Sequence, residues 1–223
     1  MAHLKHLVLA LGLALGAAAG AQQTTPAAEV FSVAVGKPLK AASDAIKARQ
    51  WDTALARLKE AQAVPNKKPH EQFAIDQMLG YVYYTQKNYA QAAPVYERLI
   101  ESGRMPAGAV AERTKAVAQM YFQLKNFPKA IEWSQKALKQ NPNQQDMQVL
   151  LGQAYFLGGN YKNASESMTR LVAASEQAGK PPKEEWLRVV QASQLKMGSR
   201  ERTVPTLQKL VRYYGKPDDW QAL

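Results

Sequence analysis

Small and apolar residues recur along the chain at helical spacing in paired blocks, each pair joined by a short polar turn. Thr114 to Pro142, TKAVAQMYFQLKNFPKAIEWSQKALKQNP, shows the unit: Val117, Ala118 and Tyr121, a Lys-Asn turn, then Ala130, Ile131, Ala137 and Leu138, closed by Pro142. Two short amphipathic helices joined in this way share an apolar face that only a neighbouring copy can cover. The copies are present. Asp76 to Leu99 carries Leu79, Gly80, Tyr83, Asn88-Tyr89, Ala92, Tyr96 and Leu99, and Gln148 to Leu171 repeats those roles with Leu151, Gly152, Tyr155, Asn160-Tyr161, Ala164, Met168 and Leu171. The pattern predicts an all-α fold of stacked helical hairpins.

Each recurring position has a packing job. Gly80 and Gly152, with Ala118 between them, fall where the two helices of a hairpin approach most closely. Ala92, Ala130 and Ala164 let the second helix sit close, and the rings of Tyr83, Tyr121, Tyr155, Tyr89, Phe127 and Tyr161 fill the space between helix pairs. The order L-G-x-x-Y, then aromatic, then Ala, then a large apolar residue resembles the tetratricopeptide repeat family over nearly all of the chain beyond its first residues. That resemblance implies a right-handed superhelical solenoid of helix-turn-helix repeats. About five units follow, at 36–65, 73–104, 111–142, 145–176 and 183–214.

In the first unit, helices are expected over Lys37 to Arg49 and Thr53 to Val64, with Trp51 at the turn and PNKKP closing the pair. Ala54, Ala92, Ala130 and Ala164 are separated by 38, 38 and 34 residues. The family period is about 34, so two steps carry one extra helical turn, expected as longer helices or turns near Pro65–Glu71 and Ser102–Ala107. The fifth unit is degenerate. Its turn, MGSRER, lacks the aromatic, and Thr203 stands where Ala is expected.

The two ends read differently from the repeats. Lys5, the apolar run Leu7 to Leu15 and Ala19-Gly20-Ala21 have the layout of a secretory signal peptide over residues 1–21, too short to span a bilayer. Residues 22–35 read as a linker that docks Phe31 and Val33 on the first repeat. Residues 218–223, Asp-Asp-Trp-Gln-Ala-Leu, resemble Glu184-Glu-Trp-Leu, the opening of a first helix, so the chain reads as the front part of a longer protein or as one that ends raggedly.

Composition narrows the chemistry. The net charge is +11 and falls to +10 without Lys5, the only charge in the leader; the chain contains no cysteine, so no lipidated cysteine follows the cleavage site and thiol chemistry is excluded. The expectation is an exported, periplasmic protein that is soluble, is not a lipoprotein and carries no further membrane span. His70, beside Pro69 in an expected loop, is the only histidine after the leader, so neither a Ser-His-Asp arrangement nor a multi-histidine metal site is available. The pairs Glu184-Glu185 and Asp218-Asp219 read as caps at helix starts, and Gly158-Gly159 is a turn and not a phosphate loop. No catalytic residue, metal site or cofactor is assigned, and the chain reads as a non-enzyme.

Function then falls to the inner surface of the superhelix. In the family, the first helix of each hairpin lines a concave groove that holds a peptide segment. Helical counting places Gln77, Tyr81, Tyr84, Lys115, Gln119, Phe122, Gln153, Phe156, Arg188 and Gln191 there. Amides pair with a ligand backbone and rings give flat apolar area; ordinary solvated helix surface is the competing reading. The Lys/Asn/Lys/Arg clamp by which chaperone-binding members hold a terminal carboxylate is not matched, because Lys115 and Arg188 stand alone.

The phrases VGKPLKAASDAIKARQWDTALARLKEAQ, EQAGKPPKEEW and LQKLVRYYGKPDDW are similar to exported bacterial repeat proteins, some accompanying TonB-type systems. This implies a scaffold that contacts one or more cell-envelope proteins. The basic second half, including Arg200, Arg202 and Lys209, supports a rival reading: contact with an anionic lipid or cell-wall polymer. The absence of interleaved aromatics argues against nucleic acid. A third reading is an accessory domain of an enzyme lying in sequence beyond residue 223.

Overall fold

A computed structural model describes residues 30–198 and 200–222. The assigned leader, 1–21, and residues 22–29 of the linker lie outside the described residues. Phe31–Leu223 form one compact unit. Its helices are α1 (Val33–Lys47), α2 (Trp51–Ala63), α3 (Pro69–Thr85), α4 (Tyr89–Glu101), α5 (Ala107–Gln123), α6 (Phe127–Gln140), α7 (Gln145–Leu157), α8 (Tyr161–Gln177), α9 (Glu184–Lys196), α10 (Arg200–Tyr214) and α11 (Pro217–Ala222). Among the described residues there is no strand. The fold is an all-α right-handed superhelical solenoid.

The turn inside each hairpin gives the register. Arg49, Lys87, Lys125, Gly159 and Gly198 have φ of +56°, +58°, +57°, +80° and +72°. One left-handed residue at the same place reverses the chain five times, in steps of 38, 38, 34 and 39 residues. The next residue is Asn in the middle three hairpins, and the side chains of Asn126 and Asn160 accept from the N–H of Lys129 and Asn163 at 3.3 Å.

The extra turn of the two 38-residue steps lies in their first helices, and that of the 39-residue step in the second helix α8, with 17 residues. α3 and α5 have 17 residues, whereas α7 and α9 have 13. The added turn of α3 has a task. It carries Glu71, 2% exposed, whose carboxylate accepts from the backbone N–H of Ser32 at 2.7 Å and of Lys68 at 2.8 Å. Those donors, with the Ser32 hydroxyl foremost, hold the Glu71 carboxyl down to about 2.

The same contact explains why α1 begins at Val33 and not at Lys37. Ser32 is held by Glu71, and Val35 is fully buried, so a turn forms ahead of Pro38 although the proline removes a donor from the helix. Phe31 packs against the second hairpin and not the first, its ring 5.4 Å from that of His70 on α3, and Val33 points to solvent. His70 itself lies in the first turn of α3, not in a loop.

Close packing depends on the small residues. A Cβ at Gly80 would lie 2.4 Å from the Tyr96 ring, and one at Gly152 would lie 2.7 Å from Met168 Cε. First helices approach one another from repeat to repeat, α1 on α3, α5 on α7 and α7 on α9, whereas successive second helices nowhere come within 8 Å between Cα atoms. The curvature therefore places the first helices inside. α3 and α5 are the exception, with no Cα pair within 8 Å.

Candidate functional site

The inner surface is built from three register rows. Gln77, Lys115 and Arg188 share one row, with Val149 completing it; Tyr81, Gln119 and Gln153 form the second; Tyr84, Phe122 and Phe156 form the third, which Ile46 and Leu195 extend at the two ends. Sequence reading missed Ile46 and Leu195, although the 38- and 39-residue steps would have found them once the turn residues were aligned. Gln191 takes the place of Ala118 and Gly152 instead, so the amide row of Gln119 and Gln153 continues into Ala192.

The rows differ in what they offer. Tyr84, Phe122 and Phe156 are half-buried, with ring centroids 6.0, 6.0 and 5.7 Å from Tyr89, Phe127 and Tyr161 in their own hairpins. Tyr84 also stacks on Tyr96 at 5.9 Å. Much of each ring therefore closes the hairpin. Gln77 and Gln119 are exposed, and Tyr81 is 38% exposed with its ring 6.4 Å from Trp51 of the preceding hairpin. Gln153 is half-buried.

The two groove cations are each paired with acidic side chains. Lys115 Nζ lies 2.7 Å from Glu112. Arg188 donates to both oxygens of Asp219 on α11, at 2.8 Å to Oδ2, and to Glu184 at 3.0 and 3.1 Å. Asp219 is buried by this contact, so it is a bidentate partner and not a helix cap, and Glu184 likewise takes Lys216 at 2.6 Å. These partners raise Arg188 and lower Glu184 from their ordinary values, Asp219 acting first on the arginine and Lys216 on the glutamate. Gln191 accepts weakly from Arg188 at 3.4 Å. The groove's charges are thus internally matched, at Lys115 in its middle and at Arg188 on α9, and the Tyr81, Gln119 and Gln153 row carries none.

Among the described residues no group of three or more His, Cys, Asp or Glu is placed to hold a metal ion, and no helix is long and apolar enough to cross a membrane.

A family model for the tetratricopeptide repeat matches residues 39–104, 77–144 and 135–179, well over half of the chain. The chain belongs to the tetratricopeptide repeat family. Among solved structures it is similar to YrrB, described as a tetratricopeptide protein with an unusual peptide-binding site: TM-score 0.54, 16% identity, 83% of this chain and 89% of that one. It is also similar to MamA from strain MSR-1, with TM-score 0.52, 19% identity and coverage of 80% and 92%. MamA from strain AMB-1 gives TM-score 0.52, 16% identity and coverage of 82% and 99%. At these identities the likeness concerns the fold. No curated protein sequence matches.

Proposed function

We propose that this tetratricopeptide protein is a non-catalytic scaffold of the bacterial cell envelope that binds an extended segment of a partner protein in its concave groove. The observation that carries the reading is the polar, uncharged row of Tyr81, Gln119 and Gln153, in register across three consecutive first helices, with exposed Gln77 one turn before Tyr81 and the Lys115 charge matched by Glu112. Exposed amides offer donors and acceptors to a peptide backbone, and the half-buried rings beneath supply apolar floor. YrrB, described as having an unusual peptide-binding site, supports the same use of the fold. The layout of residues 1–21 supports export to the periplasm, and the quoted phrases support an envelope assembly of the TonB type.

The test is a pull-down from envelope extract with wild type and a Tyr81→Ser/Gln119→Ala variant. These side chains are exposed, so the variant leaves the hairpins intact, which a Tyr84 or Phe122 truncation would not. Proteins retained by wild type and lost with the variant support the groove; identical retention by both overturns it. The second reading, adhesion to an anionic surface, is favoured by Lys196, Arg200 and Arg202, which are exposed and carry no salt bridge among the described residues. It predicts binding to anionic vesicles that survives the groove variant and is lost in salt.

A further inference from the structure

The outer face of the fourth repeat contains a cavity of about 350 Å3 between α6, α7 and α8. Leu138, Pro142, Leu151, Leu171 and Ala174 make it apolar, and Arg170, Gln148 and Ser167 stand around it. One repeat earlier the corresponding place is filled. Ser167 lies 34 residues after Trp133, the step that separates the turn residues Lys125 and Gly159, so the two occupy the same register position.

At that earlier place the Trp133 indole is 2% exposed, its N–H donates to Glu97 at 2.7 Å, and Lys136 Nζ lies 3.9 Å above its ring. Four positions around the later place correspond to it. Leu138 answers to Ile100, Leu151 to Val117, Arg170 to Lys136, and Gln135 to Glu97. A hydroxyl stands where the indole was, while Leu171, Gln148 and Ala174 replace Ala137, Thr114 and Gln140 around it. The buried apolar core also divides here, one cluster ending at Met147 and the next beginning at Met168.

We propose that this cavity is a binding site for a tryptophan side chain of a partner protein, inserted as Trp133 is inserted one repeat earlier, with a carboxylate beside it in the partner's sequence. Size permits this, since closed apolar cavities of about 150 Å3 already take up benzene. Chemistry favours an indole over an aliphatic side chain: Arg170 lines the cavity in the register place of the lysine that covers Trp133, and a guanidinium over an indole face is a favourable cation–π pair. Arg170 also selects the neighbour. Among the described residues its guanidinium has only the Ser167 hydroxyl, at 3.3 Å, as a partner, so an acidic residue next to the inserted tryptophan would complete it. The site lies on the outer surface and does not depend on the groove.

The test uses the full chain and three probes followed by amide chemical shifts: indole, the blocked dipeptide N-acetyl-Asp-Trp-amide and its Asp-Ala counterpart. Saturable shifts confined to the amides around Leu138, Gln148, Leu151 and Leu171 are expected with indole. The Asp-Trp probe should bind several-fold more tightly than indole, Asp-Ala should not bind, and Arg170→Ser should remove the advantage of Asp-Trp. Ser167→Trp, which supplies the ring from within, should abolish binding and raise Tm. Ala174→Leu narrows the mouth from an exposed position and should weaken binding at least about tenfold even if the tryptophan variant does not fold. No saturable shifts, or shifts unchanged in Ala174→Leu, overturn the proposal. Self-association at this face that Trp220→Ala abolishes also overturns it, in favour of a second copy of the chain.

Discussion

Two neighbouring seams of this solenoid solve the same packing problem in opposite ways. Between the second and third hairpins the outer side is closed by Trp133, and the inner helices α3 and α5 stay more than 8 Å apart. Between the third and fourth hairpins the inner helices α5 and α7 meet, and the outer side is left open at Ser167. The polar links change with them. Glu97 receives the Trp133 indole N–H and Lys129, and burial together with its charge pushes the Tyr121 hydroxyl up to about 12. One repeat later the equivalent pair is neutral, Gln135 donating to Tyr155 at 2.8 Å. The repeat thus holds its backbone register constant while the side chains decide on which face each seam is closed.

The comparison is broken most directly by making the closed seam resemble the open one. Trp133→Ser should cost about 3–5 kcal/mol, the usual cost of emptying a large aromatic site, read from urea denaturation. A loss below about 1 kcal/mol would mean that Trp133 contributes little to closing its seam. Next come the close approaches within hairpins. Gly80→Ala pushes a Cβ into the Tyr96 ring and should cost about 1–3 kcal/mol. The reverse change at the same register, Ala118→Gly, creates no clash and should cost about 1–2 kcal/mol through helix propensity and the loss of a buried methyl.

The turns give a smaller effect with opposite signs in the two seams. Gly159→Ala places a side chain at φ +80° and should lose about 1 kcal/mol, while Lys125→Gly relieves one at +57° and should gain up to about 1 kcal/mol, both read from thermal midpoints. If the two changes had the same sign, the shared left-handed position would not be what shapes these turns.

The most local effect is acid loosening of α1. The Glu71 value of about 2 lies below the ordinary 4.5, so its tie to Ser32 contributes fully above about pH 4.5 and is lost as pH falls through about 2. The Ser32 amide resonance should follow that window, and Glu71→Gln should abolish the dependence. A Ser32 amide that titrates unchanged in the variant would rule out the tie.

The residue pattern alone determined the repeat, its small positions and its turn aromatics, because stacked hairpins impose the same spacing on every copy and the spacing is read off directly. Gly80, Gly152 and the two 38-residue steps were legible for that reason. The ten groove residues were only partly so: the periodicity places a residue on the inner side, but Tyr84, Phe122 and Phe156 are half spent on their own hairpins, and Arg188 is taken by Asp219, 31 residues away. The start of α1 ahead of Pro38, the buried ion pair on α11 and the vacancy beside Ser167 were decided by tertiary structure. Each arises where residues distant in sequence come into contact, and a one-dimensional period carries no information about what lies across the seam.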